Sequence, residues 1–287
     1  MIHECKQIIE ICIKNNPDTP VNTNGNDIMN EYQDIVVEPA ASGVQVIRLN
    51  RPQSKNALRN ATLREVVAAL AAAQDDADVR AVVITGGDGI FAAGADIHEM
   101  AALDAITAAR DVRPQYWRAI AGFSKPLVAA VNGYALGAGC ELLMHADIVV
   151  AGASARIGQP EINLGAIPGA GGTQRLVRTV GKPLAMKMVL GGEMISAERA
   201  LAAGLVSDVV PDGEVLASAM AQAQRIAQKS PLAVALAKEA VLRSFEMHLE
   251  AGLQFERKSF SLLAASEDRR EGIAAFLEKR PASFTGR

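Results

Sequence analysis

Short apolar runs alternate with longer amphipathic segments through the first two thirds of the chain. The stretch GVQVIRLN, which begins at Gly43, alternates apolar and polar residues and predicts a half-buried strand. Three further runs predict buried strands, because they are short and rich in Val, Ile and Ala. These runs are AVVIT at 81–85, LVAAV at 127–131 and DIVVAG at 147–152. An amphipathic segment to about Ala73 predicts a helix, with Thr62 and Glu65 matching a capping box. Strands that alternate with helices indicate an α/β layered core.

The pattern changes after Pro211, where helical periodicity replaces the short strands. The successive helical segments are 214–229, 231–245, 247–265 and 269–280. We therefore predict an α/β core at 29–211 followed by an all-helical region at 212–287. Several large apolar residues fall at exposed-looking helix positions, namely Phe255, Phe260, Leu262 and Phe276. Such positions favour burial in a subunit contact.

Residues 1–28 differ in composition from the rest of the chain. They are rich in Asn and Ile, whereas Ala, Val, Leu and Gly dominate later. The charged residues Glu4, Lys6 and Glu10 interrupt any apolar core, and the segment has no Arg, so it resembles neither a secretory signal nor a mitochondrial presequence. We expect a disordered leader and interpret Met29 as the beginning of the protein proper.

Composition excludes several classes of protein. Hydrophobic residues make up 49% and charged residues 21%, which is typical of a globular domain. A formal net charge of −3 leaves no broad basic face for nucleic acid. The longest uncharged stretch, 126–140, is shorter than the roughly 18 to 20 residues of a membrane-spanning helix, so no membrane span is expected. The 3 cysteines form no CxxC pair and no even set, which favours a reducing cytoplasm over a disulfide or zinc scaffold.

Two glycine-rich segments each carry an isolated glutamate. The first, NGYALGAGCELLMHAD, holds Glu141, and its residues from Ala135 to His145 predict a helix with a glycine-rich start. Free N–H groups at such a start favour a developing oxyanion. The second, IGQPEINLGAIPGAGGTQRL, holds Glu161 and leads into a helix near Thr173.

Two interpretations of the environment of these glutamates are open. Either Glu141 or Glu161 can be a solvated surface residue, which is the ordinary place for a carboxylate. Alternatively, the two carboxylates face one cavity, where burial raises their pKa and they divide acid and base roles.

Other catalytic patterns are incomplete. GGDGIFA at 86–92 matches a dinucleotide motif after a strand, but Gly94 follows where a helix must open, which favours a plain loop. A GxSxG nucleophile elbow is absent. His98 and Glu99 lack the second histidine of a zinc helix, and no metal site is expected. We interpret His145 as a capping or packing residue.

Five segments resemble the enoyl-CoA hydratase/isomerase family, the crotonases, in order and spacing. They are FAAGADI at 91–97, NGYALGAGCEL at 132–142, GQPEINLGAIPGAGGTQRL at 158–176, AGLVSDVV at 203–210 and EDRREGIAAFLEKR at 267–280. The resemblance runs from about Ile35 to Arg287 and implies a spiral of repeated ββα units with C-terminal helices that form trimers. LGAGCEL, RPQYW and the final FTGR are most similar to hydratases of bacterial phenylacetate degradation that act on a dehydroadipyl-CoA.

The resemblance implies roles for five residues around the reacting bond. Glu141 and Glu161 match the family's two catalytic glutamates. The backbone N–H groups of Ala95 and Ala138 match its oxyanion hole, although many relatives have Gly at the position of Ala138. Gly169, at the next helix entrance, would orient one carboxylate through its N–H.

The resemblance also implies a coenzyme A site. Its residues would be Ala93, Asp96 and Ile97, with Phe276 and Lys279 reaching the nucleotide across a subunit contact. One departure from the family is His98, where Lys commonly stands near the phosphates. Coenzyme A is part of the substrate, so no cofactor is expected. The expected partners are an acyl-CoA thioester and further copies of the chain, in a homotrimer or a dimer of trimers.

The resemblance therefore implies an enoyl-CoA hydratase, a lyase of fatty acid β-oxidation or phenylacetate catabolism. It would add water across the trans-2 double bond of an enoyl-CoA to give a 3-hydroxyacyl-CoA. An isomerase of the same family is an alternative, but isomerases usually lack the second glutamate. A dinucleotide oxidoreductase would rest on GGDGIFA alone. A non-catalytic RNA-binding relative is disfavoured by the net charge and by the helix at 62–76, where Arg64 is the single basic residue.

Overall fold

The computed structural model describes residues 32–287, and its centre is a six-stranded sheet. The strands of the molecule are β1 (Ile35–Ala41), β2 (Val44–Leu49), β3 (Ala81–Thr85), β4 (Leu127–Val131), β5 (Tyr134–Leu136), β6 (Ile148–Gly152), β7 (Arg156–Gly158), β8 (Met194–Ser196) and β9 (Asp208–Val210). The large sheet has the order β1-β2-β3-β4-β6-β9, and a smaller sheet has the order β5-β7-β8. In the large sheet only β1 and β2 pair antiparallel. The predicted leader, 1–28, lies outside the described residues.

The strands predicted from apolar runs are confirmed. Every residue of β3 and β4 is buried, as expected for parallel strands covered on both faces. One face carries the larger core cluster, which includes Ile84 and Leu142. The other face carries Val83 and Val128, against which a later helix packs.

Helices surround the two sheets and form the C-terminal part of the chain. They are α1 (Asn60–Asp75), α2 (Ile97–Ala101), α3 (Ala105–Ala109), α4 (Arg113–Ala121), α5 (Ala138–Leu143), α6 (Gly172–Val180), α7 (Lys182–Gly191), α8 (Ala197–Ala202), α9 (Val215–Ala227), α10 (Pro231–Arg243), α11 (Leu249–Leu263) and α12 (Glu267–Glu278). Short 3-10 helices span Pro52–Ser54, Pro160–Leu164 and Asp212–Glu214.

The predicted capping box at Thr62 is wrong. Helix α1 begins at Asn60, so Thr62 already lies inside it, and the first N–H, that of Asn60, donates to the Glu99 carboxylate, at 2.9 Å to Oε2. The Thr62 hydroxyl instead donates to Asp34 Oδ2 at 2.6 Å, and Glu65 Oε2 accepts the backbone N–H of Asp34 at 2.8 Å. Both side chains therefore hold the segment before β1 against α1. These two hydrogen bonds give partners to the buried Thr62 hydroxyl and to the buried backbone N–H of Asp34.

The four helices predicted after Pro211 are confirmed, with small shifts at their ends. Helix α12 begins two residues early, at Glu267, because the Ser266 hydroxyl caps it by accepting the N–H of Arg269. Helix α9 packs on the large sheet through Ala219 and Ala223. The domain boundary between residues 211 and 212 stays a prediction.

The C-terminal helices keep large apolar side chains at the surface of the single chain. Phe276 is 82% exposed, and Phe260 and Leu262 are also exposed. Phe255 is half-buried, with the Arg243 guanidinium 4.5 Å from the centre of its ring. Among the described residues, no helix combines the length and the apolar character that crossing a membrane requires.

Candidate active site

Glu141 is buried near the start of a short helix. Its helix, α5, begins at Ala138, three residues later than predicted, because Ala135 belongs to β5 and pairs with β7. Gly137 precedes the helix with φ +51° and ψ −122°, a conformation that favours glycine. The Glu141 side chain points into the protein, and the residue is only 2% exposed. The reading of Glu141 as a solvated residue is therefore wrong.

Two backbone N–H groups hold the Glu141 carboxylate. Ala170 and Gly172 each donate to Glu141 Oε1 at 2.7 Å. These donors lie at the entrance to α6, where the expected donor was Gly169. The positive φ of Gly171, +100°, turns the chain so that the N–H groups on either side of Gly171 converge on one oxygen. The entrance to α6 thus orients Glu141, through residues one and three positions after Gly169.

Glu161 lies opposite the entrance to α5. It belongs to the 3-10 helix Pro160–Leu164 and is half-buried. A Cβ placed on Gly137 would lie 3.2 Å from Glu161 Oε1, so the carboxylate packs directly against the residue that opens α5. Glu141 lies on the first turn of α5. The structure therefore brings the two glutamates together at the start of α5, as the sequence predicts.

Burial changes the proton affinity of both carboxylates. It raises the pKa of Glu161 to about 7, and the nearby negative charge of Glu141 raises it as well. Burial also raises the pKa of Glu141, whereas the N–H groups of Gly172 and Ala170 act in the opposite direction. The charge of Glu141 disfavours a second negative charge on Glu161, so Glu161 retains its proton below about pH 7.

Gln159 is a part of the site that the sequence analysis missed. It is fully buried, and its side-chain amide lies 2.8 Å from Glu161 Oε1 and 3.1 Å from Oε2. The same side chain packs against Gly172, where an added Cβ would come within 2.7 Å of it. Gln159 therefore contacts Glu161 and also Gly172, whose N–H holds Glu141. A polar residue directly after the buried strand β7 is the signal that could have revealed it.

Two backbone N–H groups beside the glutamates are free to bind an oxyanion. Ala138 is the first residue of α5, and the first N–H groups of a helix have no acceptor within it. At Ala95, the flanking peptides both bind Leu58: Leu58 N–H donates to Gly94 O at 2.8 Å, and Asp96 N–H donates to Leu58 O at 3.0 Å. The N–H of Ala95 therefore points away from Leu58.

The two free donors belong to loops that meet. A Cβ placed on Gly137 would lie 3.7 Å from Gly94 Cα, so the residues just before Ala95 and Ala138 are neighbours. Within residues 32–287, neither the Ala95 N–H nor the Ala138 N–H donates to an acceptor of the protein. The arrangement fits an oxyanion hole next to the glutamate pair.

The residues expected to bind coenzyme A fall in two places. Ala93 and Asp96 lie in the loop leading into α2, and Ile97, the first residue of that helix, is 59% exposed. The Asp96 carboxylate is buried and accepts the backbone N–H of His98 at 3.1 Å. The other two residues, Phe276 and Lys279, are exposed at the end of α12.

Two secondary predictions about the glycine-rich segments are confirmed. GGDGIFA forms a loop, and the next helix, α2, begins only at Ile97, so no helix opens within the motif to bind a pyrophosphate. His145 is a packing residue: its Nδ1 lies 2.8 Å from Glu141 O and its ring 5.2 Å from the ring of Trp117. Burial, together with the charge of Arg175, lowers the pKa of His145 to about 4, so it stays neutral.

Solved structures with the same fold define the class of protein to which this chain belongs. The solved enoyl-CoA hydratase subunit I of Geobacillus kaustophilus HTA426 superposes with a TM-score of 0.87 and 43% identity, over 90% of this chain and 100% of that one. The enoyl-CoA hydratase of Bacillus anthracis gives 0.84 and 38% identity, over 89% and 100% of the two chains. The fold expected from the sequence is thus confirmed.

Sequence relatives agree with this assignment. The 2,3-dehydroadipyl-CoA hydratase of Escherichia coli (strain K12) is 56% identical over 244 residues, which cover 85% of this chain and 96% of that protein. The mitochondrial enoyl-CoA hydratase of Pongo abelii is 49% identical over 241 residues, 84% of this chain and 83% of that protein. The family model for enoyl-CoA hydratase/isomerase matches residues 39–287. The chain belongs to the enoyl-CoA hydratase/isomerase family.

Proposed function

We propose that the protein adds water across the trans-2 double bond of an enoyl-CoA thioester and releases a 3-hydroxyacyl-CoA. The observation that carries this proposal is the meeting of Glu141 and Glu161 at the start of α5, beside the free N–H groups of Ala95 and Ala138. The named relatives are hydratases, which confirms the enzyme class expected from the sequence. Coenzyme A is part of the substrate, and the proposed chemistry uses no separate cofactor.

The reaction needs a base, an acid and an anion site. Glu141 takes a proton from water as the water oxygen bonds to the β carbon. The electrons of the double bond move toward the thioester oxygen, where the N–H groups of Ala95 and Ala138 hold the enolate-like charge. Glu161 then delivers a proton to the α carbon. Proton transfer contributes about 100- to 10,000-fold and an oxyanion donor about 100- to 1,000-fold, so these groups suffice for a large acceleration.

The hydrogen bonds support different roles for the two glutamates. Glu141 Oε1 accepts two backbone N–H groups, and such bonds favour the charged form of a carboxylate. The single proton of the pair therefore resides on Glu161. Glu141 is the base that activates water, and Glu161 is the acid. An isomerase requires only one such carboxylate, so the presence of both favours hydration.

A panel of substrates tests this function. We expect turnover of crotonyl-CoA and of 2,3-dehydroadipyl-CoA, followed by the loss of absorbance of the conjugated thioester. The 56% identity to a 2,3-dehydroadipyl-CoA hydratase favours a higher kcat/KM for the dicarboxylic substrate. That outcome would support a role in phenylacetate catabolism, whereas a preference for unbranched monocarboxylic chains would support β-oxidation. A failure to convert either thioester would contradict the proposed function.

The pH dependence of kcat/KM should report Glu161 in the free enzyme. Glu161 must hold a proton in order to deliver it, and its pKa is raised by burial to about 7. We therefore expect kcat/KM for hydration to fall as pH rises through about 7. The residual activity of Glu161→Gln should lack this decline. A value of kcat/KM that rises over the same pH range in the wild type would contradict the assignment of Glu161 as the acid.

We further propose that the chain forms a homotrimer or a dimer of trimers, with Phe276 and Lys279 completing the coenzyme A site of a neighbour. The exposed apolar side chains of the C-terminal helices support an assembly. The ammonium group of Lys279, at the exposed end of α12, suits a nucleotide phosphate. A cytoplasmic location remains a prediction from the sequence.

Lys279→Glu should raise KM for enoyl-CoA more than it lowers kcat. The reason is that a distant phosphate contact stabilises the ground state and the transition state equally. The effect should shrink as salt rises, because an exposed ion pair is screened. Steady-state kinetics at low and high salt measure this effect. Lys229→Glu is the charge-matched control, because Lys229 follows α9, the helix that covers the far face of the large sheet. An unchanged KM in Lys279→Glu at low salt would remove Lys279 from the site.

A further inference from the structure

Arg51 is a buried cation next to the oxyanion hole with no role in the chemistry described above. It is only 8% exposed, and it precedes the 3-10 helix Pro52–Ser54. A buried guanidinium is retained in a fold only when hydrogen-bonding partners compensate for the lost water. Arg51 Nε lies 3.7 Å from Asp34 Oδ1, and Nη2 lies 3.5 Å from Ser54 Oγ. Its closer hydrogen-bonding partners lie on two segments, the loop 55–58 and the oxyanion loop 93–96.

Backbone hydrogen bonds join these two segments edge to edge. Ala93 N–H donates to Lys55 O at 3.0 Å, Leu58 N–H to Gly94 O at 2.8 Å, and Asp96 N–H to Leu58 O at 3.0 Å. In such a parallel bridge, N–H groups alternate between the two sides of the strand. The direction of the Ala95 N–H is therefore fixed by the register of loop 55–58 against the oxyanion loop.

The Arg51 guanidinium spans this bridge. Its Nη1 donates to Ala57 O in loop 55–58. Nη1 and Nη2 both donate to Asp96 Oδ2 in the oxyanion loop, each at 3.1 Å. The main chain of Arg51 is tied to the same loop, because Arg51 N–H donates to Asn56 Oδ1 and Asn56 N–H to Arg51 O, both at 2.9 Å. One side chain thus fastens both segments.

The Asp96 carboxylate is bound through both of its oxygens. Oδ2 accepts from Arg51, and Oδ1 accepts the N–H of His98 at the start of α2. Burial alone raises the pKa of Asp96, but the Arg51 hydrogen bond and the His98 N–H outweigh it, so its pKa lies below the ordinary value. Asp96 is therefore an anion, and removal of Arg51 would leave its buried charge with a weaker partner.

We propose that Arg51 is a positioning residue that sets the direction of the Ala95 N–H by clamping Ala57 and Asp96. This inference rests on the proposed function, because it assumes that Ala95 belongs to an oxyanion hole. An error of about 1 Å in a catalytic contact is enough to lower a rate strongly. The charge on the thioester oxygen grows only toward the transition state, so a displaced N–H should lower kcat and change KM little.

Arg51→Met tests the clamp, because Met fills similar space without donors. Arg59→Met is the matched control: Arg59 belongs to the same buried charge cluster but donates to Asp34, at 2.7 Å through Nε and through Nη2. The readout beyond activity is the absorbance of bound para-dimethylaminocinnamoyl-CoA. Its band moves to longer wavelength when hydrogen bonds polarise the thioester carbonyl. Thermal unfolding of each variant measures the loss of stability separately.

We expect Arg51→Met to lower kcat about tenfold, less than removal of an oxyanion donor, with KM nearly unchanged. The wavelength shift of the bound probe should shrink in Arg51→Met and persist in Arg59→Met, even if both variants lose stability. Arg51→Lys should be intermediate, because one ammonium cannot reproduce the fork of donors. If Arg51→Met does not fold, Asp96→Ala, which removes the oxygen that accepts from both Arg51 nitrogens, takes its place and should show the same smaller shift.

A full wavelength shift and a normal kcat in folded Arg51→Met, or in folded Asp96→Ala when Arg51→Met does not fold, would overturn the proposal. An equal reduction of the shift in Arg59→Met would overturn it too, since the effect would then come from the stability of the whole cluster. Failure of the proposed function looks different: the wild-type protein itself would bind the probe without any shift.

Discussion

Glu161→Gln and Glu141→Gln are each expected to lower kcat for hydration by at least about 100-fold while the protein stays folded. Each change removes a group that transfers a proton and preserves side-chain volume. The Glu141→Gln amide retains an oxygen that can accept the N–H groups of Ala170 and Gly172, so the entrance to α6 should keep its structure. The measurement is single-substrate kinetics with crotonyl-CoA, together with thermal unfolding.

Glu214→Gln is the control for this pair, because Glu214 is an exposed glutamate outside the site. It should have wild-type kinetics. Both catalytic variants should still bind the probe with its wavelength shift, because the donors Ala95 and Ala138 are untouched in each. Near-normal turnover in either Glu161→Gln or Glu141→Gln would remove that residue from the mechanism.

Gly137→Ala is expected to cause a loss of kcat comparable to that of the glutamate variants, at least about 100-fold. The backbone of Gly137, at φ +51° and ψ −122°, is strained for any residue with a Cβ. The new methyl group would lie 3.2 Å from Glu161 Oε1, in the space between the acid and the start of α5. Relief of either conflict would move the N–H of Ala138.

The control for Gly137→Ala separates backbone strain from damage to the site. Gly204 also has a positive φ, +78°, but a Cβ there would come no closer than 4.0 Å to its neighbours. Gly204→Ala should therefore lose some stability in thermal unfolding and retain its kcat. Normal turnover in folded Gly137→Ala would show that the entrance to α5 does not bind the reacting thioester.

The sequence predicted the core strands and the glutamate pair for clear physical reasons. Runs such as AVVIT and LVAAV are apolar at every position because β3 and β4 are covered on both faces, which is a local signal. Glu141 was conspicuous because it is the single charged residue of an apolar helix start, and Glu161 because it lies beside glycine-rich turns. The local pattern left their meeting as one of two alternatives, and the family resemblance favoured it.

The sequence could not predict contacts between distant segments. Thr62 and Glu65 matched a capping box, yet in the fold they bind the segment before β1. Gln159 and Arg51 were missed because their partners are set by the tertiary structure: the fold brings Gly172 to Gln159 and Asp96 to Arg51. A buried polar side chain has few partners nearby in sequence, so its role becomes visible only once the fold is known.

The central claim is that water is added to the double bond of an enoyl-CoA, and an isotope experiment tests it most directly. Crotonyl-CoA, the substrate named for a Syntrophomonas wolfei relative, is incubated with the wild-type protein in water enriched in heavy oxygen. The account predicts 3-hydroxybutyryl-CoA with one heavy oxygen, in its hydroxyl group, formed at least about 100-fold more slowly by Glu161→Gln. Crotonyl-CoA recovered unchanged, or converted only to an isomer that contains no heavy oxygen, would contradict it.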